Sequence, residues 1–259
     1  LEHSPIGHIN IDLLTNTKLC NEMFNITERV DSIFIDSYNV EEIETGLLSN
    51  VDLTRSLEIY SGKMKIIKRH TFKNLKIVSL WLTSGSLEII ENEAFIDLSE
   101  LTNLNLTNNF LRRFNPTSIK NVPQLRSLRC DHNKITHLQT NSFGFLRRNK
   151  TECRFSSNKI KKLDRNVFNG VRVEYLSFYL EDNLINDLPV GIFEGHTFAV
   201  IDLRSNTLKQ VSEKFFEGHF KIEKFLLSFN YLYQDTLVRF VSWSNKNNIT
   251  LSSCSNRKT

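Results

Sequence analysis

Few side chains in these 259 residues have the types and spacing that chemistry requires. The four cysteines, Cys20, Cys130, Cys153 and Cys254, are far apart and form no C-x-x-C pair. His132 and His137 stand five apart on either side of a turn-like stretch, a spacing that suits surface histidines better than a metal site. No metal is therefore expected. Glu181 and Asp182 are adjacent where a strand should end, and paired carboxylates on an open face are poor general acids. Neither G-x-x-x-x-G-K-S/T, G-x-S-x-G nor H-E-x-x-H occurs. The sequence thus predicts no enzyme and no cofactor. Asparagine offers more. Four sequons, at Asn25, Asn105, Asn149 and Asn248, each end in Thr and can accept N-glycans in the secretory pathway. They point to a secreted or extracellular glycoprotein, with which four cysteines are compatible.

Charge excludes other classes. The 33 basic side chains barely exceed the 29 acidic ones, far from the basic stripe of a nucleic-acid binder, so no nucleic acid is expected as a partner. No run of 18 apolar residues exists to span a membrane. No signal peptide is visible, as also holds for mature secreted chains.

The elements that must position these residues follow from one phrase. Leu101 to Leu111, LTNLNLTNNFL, reads L-x-x-L-x-L-x-x-N-x-L. Its asparagine position recurs at Tyr38, Gly62, Gly85, Asn109, Asn133, Asn158, Asn183, Asn206 and Asn230, in steps of 23 to 25 residues. That period predicts an α/β-type repeat solenoid, a leucine-rich repeat horseshoe of about nine coils with a parallel concave β-sheet. The repeats cover 30–231, between an N-terminal cap at 1–29 and a C-terminal cap at 232–259. In the first cap, alternating Ile9, Ile11 and Leu13 predict a strand. In the second, Asp235 to Asn245 predicts a short amphipathic helix N-capped by Asp235, followed by a strand over Asn248 to Leu251. Ten residues after each central position comes an apolar mark: Phe72, Phe95, Ile119, Phe143, Phe168, Phe193 and Phe216. These predict a phenylalanine spine on the convex side. The buried asparagine amide should bond backbone groups left unpaired by the turn. The first three coils, with Tyr38, Gly62 and Gly85 there, should be looser or differently turned.

The frame places the cysteines. Cys130 and Cys153 both point inward on adjacent strands, about 4.8 Å apart sideways and about 6.6 Å along, hence roughly 8 Å between Cα atoms. A disulfide usually needs less than about 7 Å. Either they are two buried thiols replacing leucines, or this long coil, with Lys150 at an apolar position, bends enough for a bridge. Cys20 and Cys254 are separated by eight steps of ~4.8 Å, roughly 38 Å, and cannot pair within one chain. Each is a candidate for an intermolecular bridge, and so for a disulfide-linked homo- or hetero-oligomer.

The outward concave column reads Phe34, Glu58, Trp81, Asn105, Arg129, Arg154, Tyr179, Asp202 and Leu226, flanked by Arg126, Asp131, Glu152, Glu181 and Arg204. Aromatics and arginines on an exposed sheet are the types enriched at interaction hot spots. Trp81 is the first candidate for ligand binding, then Arg129, Arg154 and Tyr179, with Arg126 and Phe34. A glycan on Asn105 would divide this face into an N-terminal half around Trp81 and a C-terminal half from Arg129 to Tyr179.

Phrases such as LTNLNLTNNFL, LRSLRCDHNKI and IDLRSNTL resemble extracellular leucine-rich repeat proteins of animals. The end, LLSFNYLYQDTLVRFVSWSNKNNITLSSC, is similar to the terminal repeat and cap of secreted insect members, including the mosquito complement-like immune proteins. Relatives often carry a cysteine just after the last asparagine turn, which Tyr231 to Gln234 lack, so Cys254 has no local partner. The immune relatives also carry a coiled coil, and no heptad segment is present here. The resemblance implies a non-enzymatic recognition protein that binds another protein or a microbial surface ligand, with invertebrate innate immunity as its setting. The alternatives are the ectodomain of a membrane receptor or adhesion molecule, and an intracellular scaffold.

Overall fold

In the computed structural model, residues 6–12, 17–36, 39–60 and 62–252 are described. Their strands build one 11-stranded parallel sheet from Ile6–Asp12 to Thr250–Leu251 in chain order. Each strand contributes a short period-two segment whose alternate residues point into the coil. Leu104 and Leu106, Leu128 and Cys130, Cys153 and Phe155, and Phe178 and Leu180 are all buried. Stacking coil on coil turns these pairs into one continuous core, and no coil could bury its apolar face alone. The fold is a leucine-rich repeat solenoid.

The asparagine ladder explains how each turn is closed. Asn109, Asn133, Asn158, Asn183, Asn206 and Asn230 are all buried. Each Oδ1 accepts a backbone N–H from the preceding coil, from Leu87, Leu111, Ile135, Ile160, Ile185 and Leu208, at 2.9 to 3.2 Å. Each Nδ2 donates to a carbonyl of the preceding coil at 2.8 to 3.0 Å, and to a carbonyl of its own turn. One primary amide thus satisfies backbone groups that the turn strips from the sheet. The residue before each asparagine adopts left-handed backbone, with φ 57° at Asn108, 54° at His132, 52° at Ser157 and 62° at Phe229. Where the ladder lacks asparagine the packing differs. Gly62 and Gly85 stack beneath Asn109, and a Cβ on Gly85 would stand 3.1 Å from Asn109 Oδ1 and 3.3 Å from the Gly62 carbonyl. A small, mostly apolar void of about 20 Å³ remains between them. Tyr38 lies outside the described residues.

The convex side begins as a three-stranded sheet of Phe72–Lys73, Phe95–Ile96 and Ile119–Lys120, and passes into turns after Ile119. Phe72 stacks on Phe95 with centroids 5.6 Å apart, and Phe143 on Phe168 at 5.7 Å. In the last coil the expected mark is displaced: Phe215 is buried in the spine, 6.0 Å from Phe193, whereas Phe216 is half-exposed. The segment Glu213–Glu217 is a 3₁₀ turn, in which neighbouring residues point about 120° apart, so only one of the two rings can face inward. Phe216 packs instead against Phe240 and Trp243 of the helix Gln234–Lys246.

That helix covers the aromatic end of the core, with Phe240 fully buried 5.6 Å from Phe225. Its N-cap is Tyr233, not Asp235, and no side chain caps it. Asp235 lies inside the first turn, where a carboxylate favours the positive end of the helix dipole without bonding a backbone N–H. At the other end Ile9 and Ile11 are half-buried against the core, while Leu13 lies outside the described residues. No helix of the described residues is long and apolar enough to cross a membrane.

Candidate binding surface

Backbone register sets the concave column. Phe34 lies opposite Glu58, Glu58 opposite Trp81, and Trp81 opposite Asn105. The line continues through Arg129, Arg154, Tyr179, Asp202 and Leu226 without a break. It also extends one strand further, to Asn10 opposite Phe34, where the neighbouring His8 ring sits 5.6 Å from Phe34. The alternation of Ile9 and Ile11 already implied an outward Asn10; His8 carried no sequence signal of this contact.

The two halves differ in what their side chains are free to do. In the C-terminal half the charges are occupied with each other. Arg154 lies 4.4 Å over the Tyr179 ring and 3.3 Å from Glu152, with Asp131 at 3.8 Å, while Arg129 approaches Glu152 at 3.7 Å. Arg204 grips Asp202 through Nε and Nη2 and reaches Glu181 at 2.8 Å. Asp202 is fully buried and so offers nothing to a ligand, although its place in the column is outward. Burial works to raise its carboxyl, but the Arg204 hydrogen bonds bring it below the ordinary carboxylate range. Glu181 is pushed up, first by its hydrogen bond with Asp202 and then by burial. Burial likewise raises Asp131, which accepts the Ser156 N–H at 2.9 Å. Arg126 is exposed at the edge of the sheet.

The N-terminal half is aromatic and less tied. Trp81 is 37% exposed and Phe34 half-exposed on either side of Glu58. Tyr60, two residues after Glu58 on the same strand, donates its hydroxyl to the Glu58 carboxylate; burial and then this bond raise the phenol well above its usual value. Tyr60 joins the surface because the long strand Leu53–Tyr60 keeps alternation past the column, which the repeat phrase alone did not show. Asn105 sits between the halves, half-buried, its Oδ1 accepting the Thr107 N–H at 3.0 Å. Asn25, Asn149 and Asn248 are exposed.

The remaining reactive candidates do not converge. Cys130 and Cys153 are both fully buried free thiols. Cys153 is in register with Leu128 rather than with Cys130, so the two sulfurs are offset along adjacent strands. Burial pushes both thiols far above the usual range. Cys20 is a half-exposed free thiol, and Cys254 lies outside the described residues. His132 is exposed in a turn, and His137 bonds Asp164 at 2.8 Å. Among the described residues no group of three His, Cys, Asp or Glu is placed to hold a metal ion.

A family model described as leucine rich repeat matches residues 76–135. The chain is 29% identical over 148 residues, 48% of its length, to a probable glycoprotein hormone G-protein coupled receptor of Anthopleura elegantissima. It is 32% identical over 133 residues, 47% of its length, to Toll-like receptor 3 of Bos taurus. The chain spans only 16% and 14% of these two relatives. Neither is a mosquito complement-like protein. A solved structure of the Toll–Spatzle complex of Drosophila superposes with a TM-score of 0.61, covering 96% of this chain and 38% of that one at 17% identity, a likeness of fold.

Proposed function

We propose that this chain is an extracellular recognition module whose concave sheet binds a protein ligand through its N-terminal aromatic half. The observation that carries this is the unbroken column of register partners in which Trp81 and Phe34 stand exposed or half-exposed. Exposed aromatics at the centre of a sheet supply large contact area at low entropic cost, as hot spots require. Arg129, Arg154 and Tyr179 then form a pre-organised polar border, since their ion pairs and cation–π contact hold them in place before a ligand arrives. A glycan on Asn105 would mark the boundary between the two.

The relatives are named as receptors, and the superposed Toll–Spatzle complex is described as a hub in development and innate immunity. These names support a receptor ectodomain as much as a secreted protein. The immune setting, a microbial surface ligand and disulfide-linked assembly through Cys20 or Cys254 remain parts of this proposal. The test is direct. Captured extracellular proteins that bind the glycosylated wild-type chain are measured against Trp81→Ala and Arg129→Glu. Binding should fall at least about tenfold for Trp81→Ala, a hot-spot loss, with unchanged thermal stability. Undiminished binding in both variants moves the site off the concave sheet.

A further inference from the structure

We propose that the edge of the solenoid following the asparagine turns is a binding surface for a sulfated polysaccharide, separate from the concave sheet. Residues one, three and four places after each turn asparagine line this edge. In three successive coils they supply Arg112, Arg113, Lys134, Lys159, Lys161 and Lys162. The edge is ordered by a short parallel pairing, with His137 opposite Lys162 and Leu138 opposite Leu163. Leu138 and Leu163 are buried, which forces their neighbours outward.

The pairing state of these cations distinguishes them. Among the described residues, five of the six have no carboxylate partner; Lys162 alone approaches one, Asp164 at 3.5 Å. The concave arginines behave oppositely, since Arg129, Arg154 and Arg204 each meet a carboxylate. Coils are spaced ~4.8 Å apart, so the six charges fall in a patch of roughly 10 Å by 10 Å. Such a cluster repels itself and creates a positive field that a polyanion relieves.

The surroundings favour a sulfated sugar over other polyanions. Beside Arg112 and Arg113 runs an open groove of about 730 Å³ whose wall also includes Gln139, Asn115 and one carboxylate, Glu88. Cations for sulfates next to side-chain amide and hydroxyl groups, Gln139 and the exposed Thr136, match a polymer that carries both sulfate and hydroxyl. Single-stranded nucleic acid needs successive free aromatic faces for stacking, and beside these cations stands one exposed ring, Phe110, with the Lys134 ammonium 4.1 Å from its centroid. An acidic protein draws on a cluster of aromatic anchors, and the patch presents the single ring of Phe110. The edge also stays open on a glycosylated chain. Asn25, Asn149 and Asn248 lie in the loops that lead into the strands, at the opposite edge, and Asn105 lies on the sheet.

The test uses the glycosylated full chain and a size-defined heparin dodecasaccharide in buffer of physiological salt. Wild type should bind it, with affinity falling steeply as salt rises. Lys159→Ala/Lys161→Ala/Lys162→Ala should bind about tenfold or more weakly, because each lost contact also loses its counterion release. Arg112→Ala/Arg113→Ala, on a different coil, should show the same direction and serves if the triple variant misfolds. Arg129→Ala/Arg154→Ala, on the concave sheet, should bind heparin as wild type does. The proposal is overturned if both flank variants retain full affinity, or if the concave variant loses as much. It is also overturned if desulfated heparin competes equally well, or if duplex RNA or polyglutamate of matched charge binds more tightly. None of these results bears on the protein ligand of the concave sheet, which Trp81→Ala reports.

Discussion

Replacing Asn158 by alanine isolates what one rung of the amide ladder contributes. Asn158 Oδ1 accepts the Ile135 N–H at 3.0 Å, and Nδ2 donates to the Cys130 carbonyl at 2.9 Å. It also donates to the Phe155 and Ser156 carbonyls of its own turn, both at 3.1 Å. Ile135 and Cys130 are fully buried, so water cannot replace the lost partner. The Cys130 carbonyl keeps a second donor, Asn133 Nδ2 at 3.1 Å, so the orphaned group is the Ile135 N–H, and an orphaned buried donor costs about 1–3 kcal/mol. Against a typical total of about 5–15 kcal/mol, that is a large share. Asn158→Asp sharpens the test: it keeps the acceptor for Ile135 but turns an oxygen toward the Cys130 carbonyl, and should cost more than alanine at neutral pH. The assay is denaturant unfolding combined with hydrogen exchange at the Ile135 amide. A loss below about 1 kcal/mol, with Ile135 protection unchanged, would refute the reasoning, because that amide's only side-chain acceptor is gone.

Other predictions follow from burial and charge. Of Cys20, Cys130 and Cys153, only Cys20 should react with an alkylating reagent in the native state, the other two after unfolding; a Cys130–Cys153 disulfide in the mass spectrum would contradict this. Glu93 is held at a pKa of about 2 by Lys120, Arg69 and His70. A folded-state pKa below the unfolded one means its contribution is complete above about pH 4.5, near the ordinary carboxyl value, and is lost as pH falls toward about 2. Glu93→Gln should therefore be less stable than wild type at pH 7, with the gap shrinking as pH falls through about 2; an equal gap at pH 7 and pH 2 would exclude the ion cluster as the cause.

The sequence made the coil period, the inward pairs and the concave column readable because each obeys a strict alternation that register preserves across strands. The same logic exposes Trp81 and buries Cys130 and Cys153. What escaped it depended on contacts between coils. Phe216 and Phe215 are equally apolar, and only the 3₁₀ turn decides which enters the spine. Asp202 looks like any outward carboxylate until Arg204 and Glu181 close over it. The helix start shifted because a good capping residue at Asp235 does not oblige the chain to begin there. The basic edge was hidden for a different reason: its three groups, Arg112 with Arg113, Lys134, and Lys159 with Lys161 and Lys162, are separated by 21 to 25 residues in the chain and gather only when coils stack.

The central claim, that the aromatic half of the concave sheet holds the ligand, is tested most directly by hydroxyl-radical footprinting of side chains with and without the captured protein. The account predicts that Trp81 and Phe34 lose reactivity in the complex while the exposed rings at Phe229 and Tyr233 keep theirs. Unchanged reactivity at Trp81 and Phe34, with protection appearing at Phe229 and Tyr233, would contradict it.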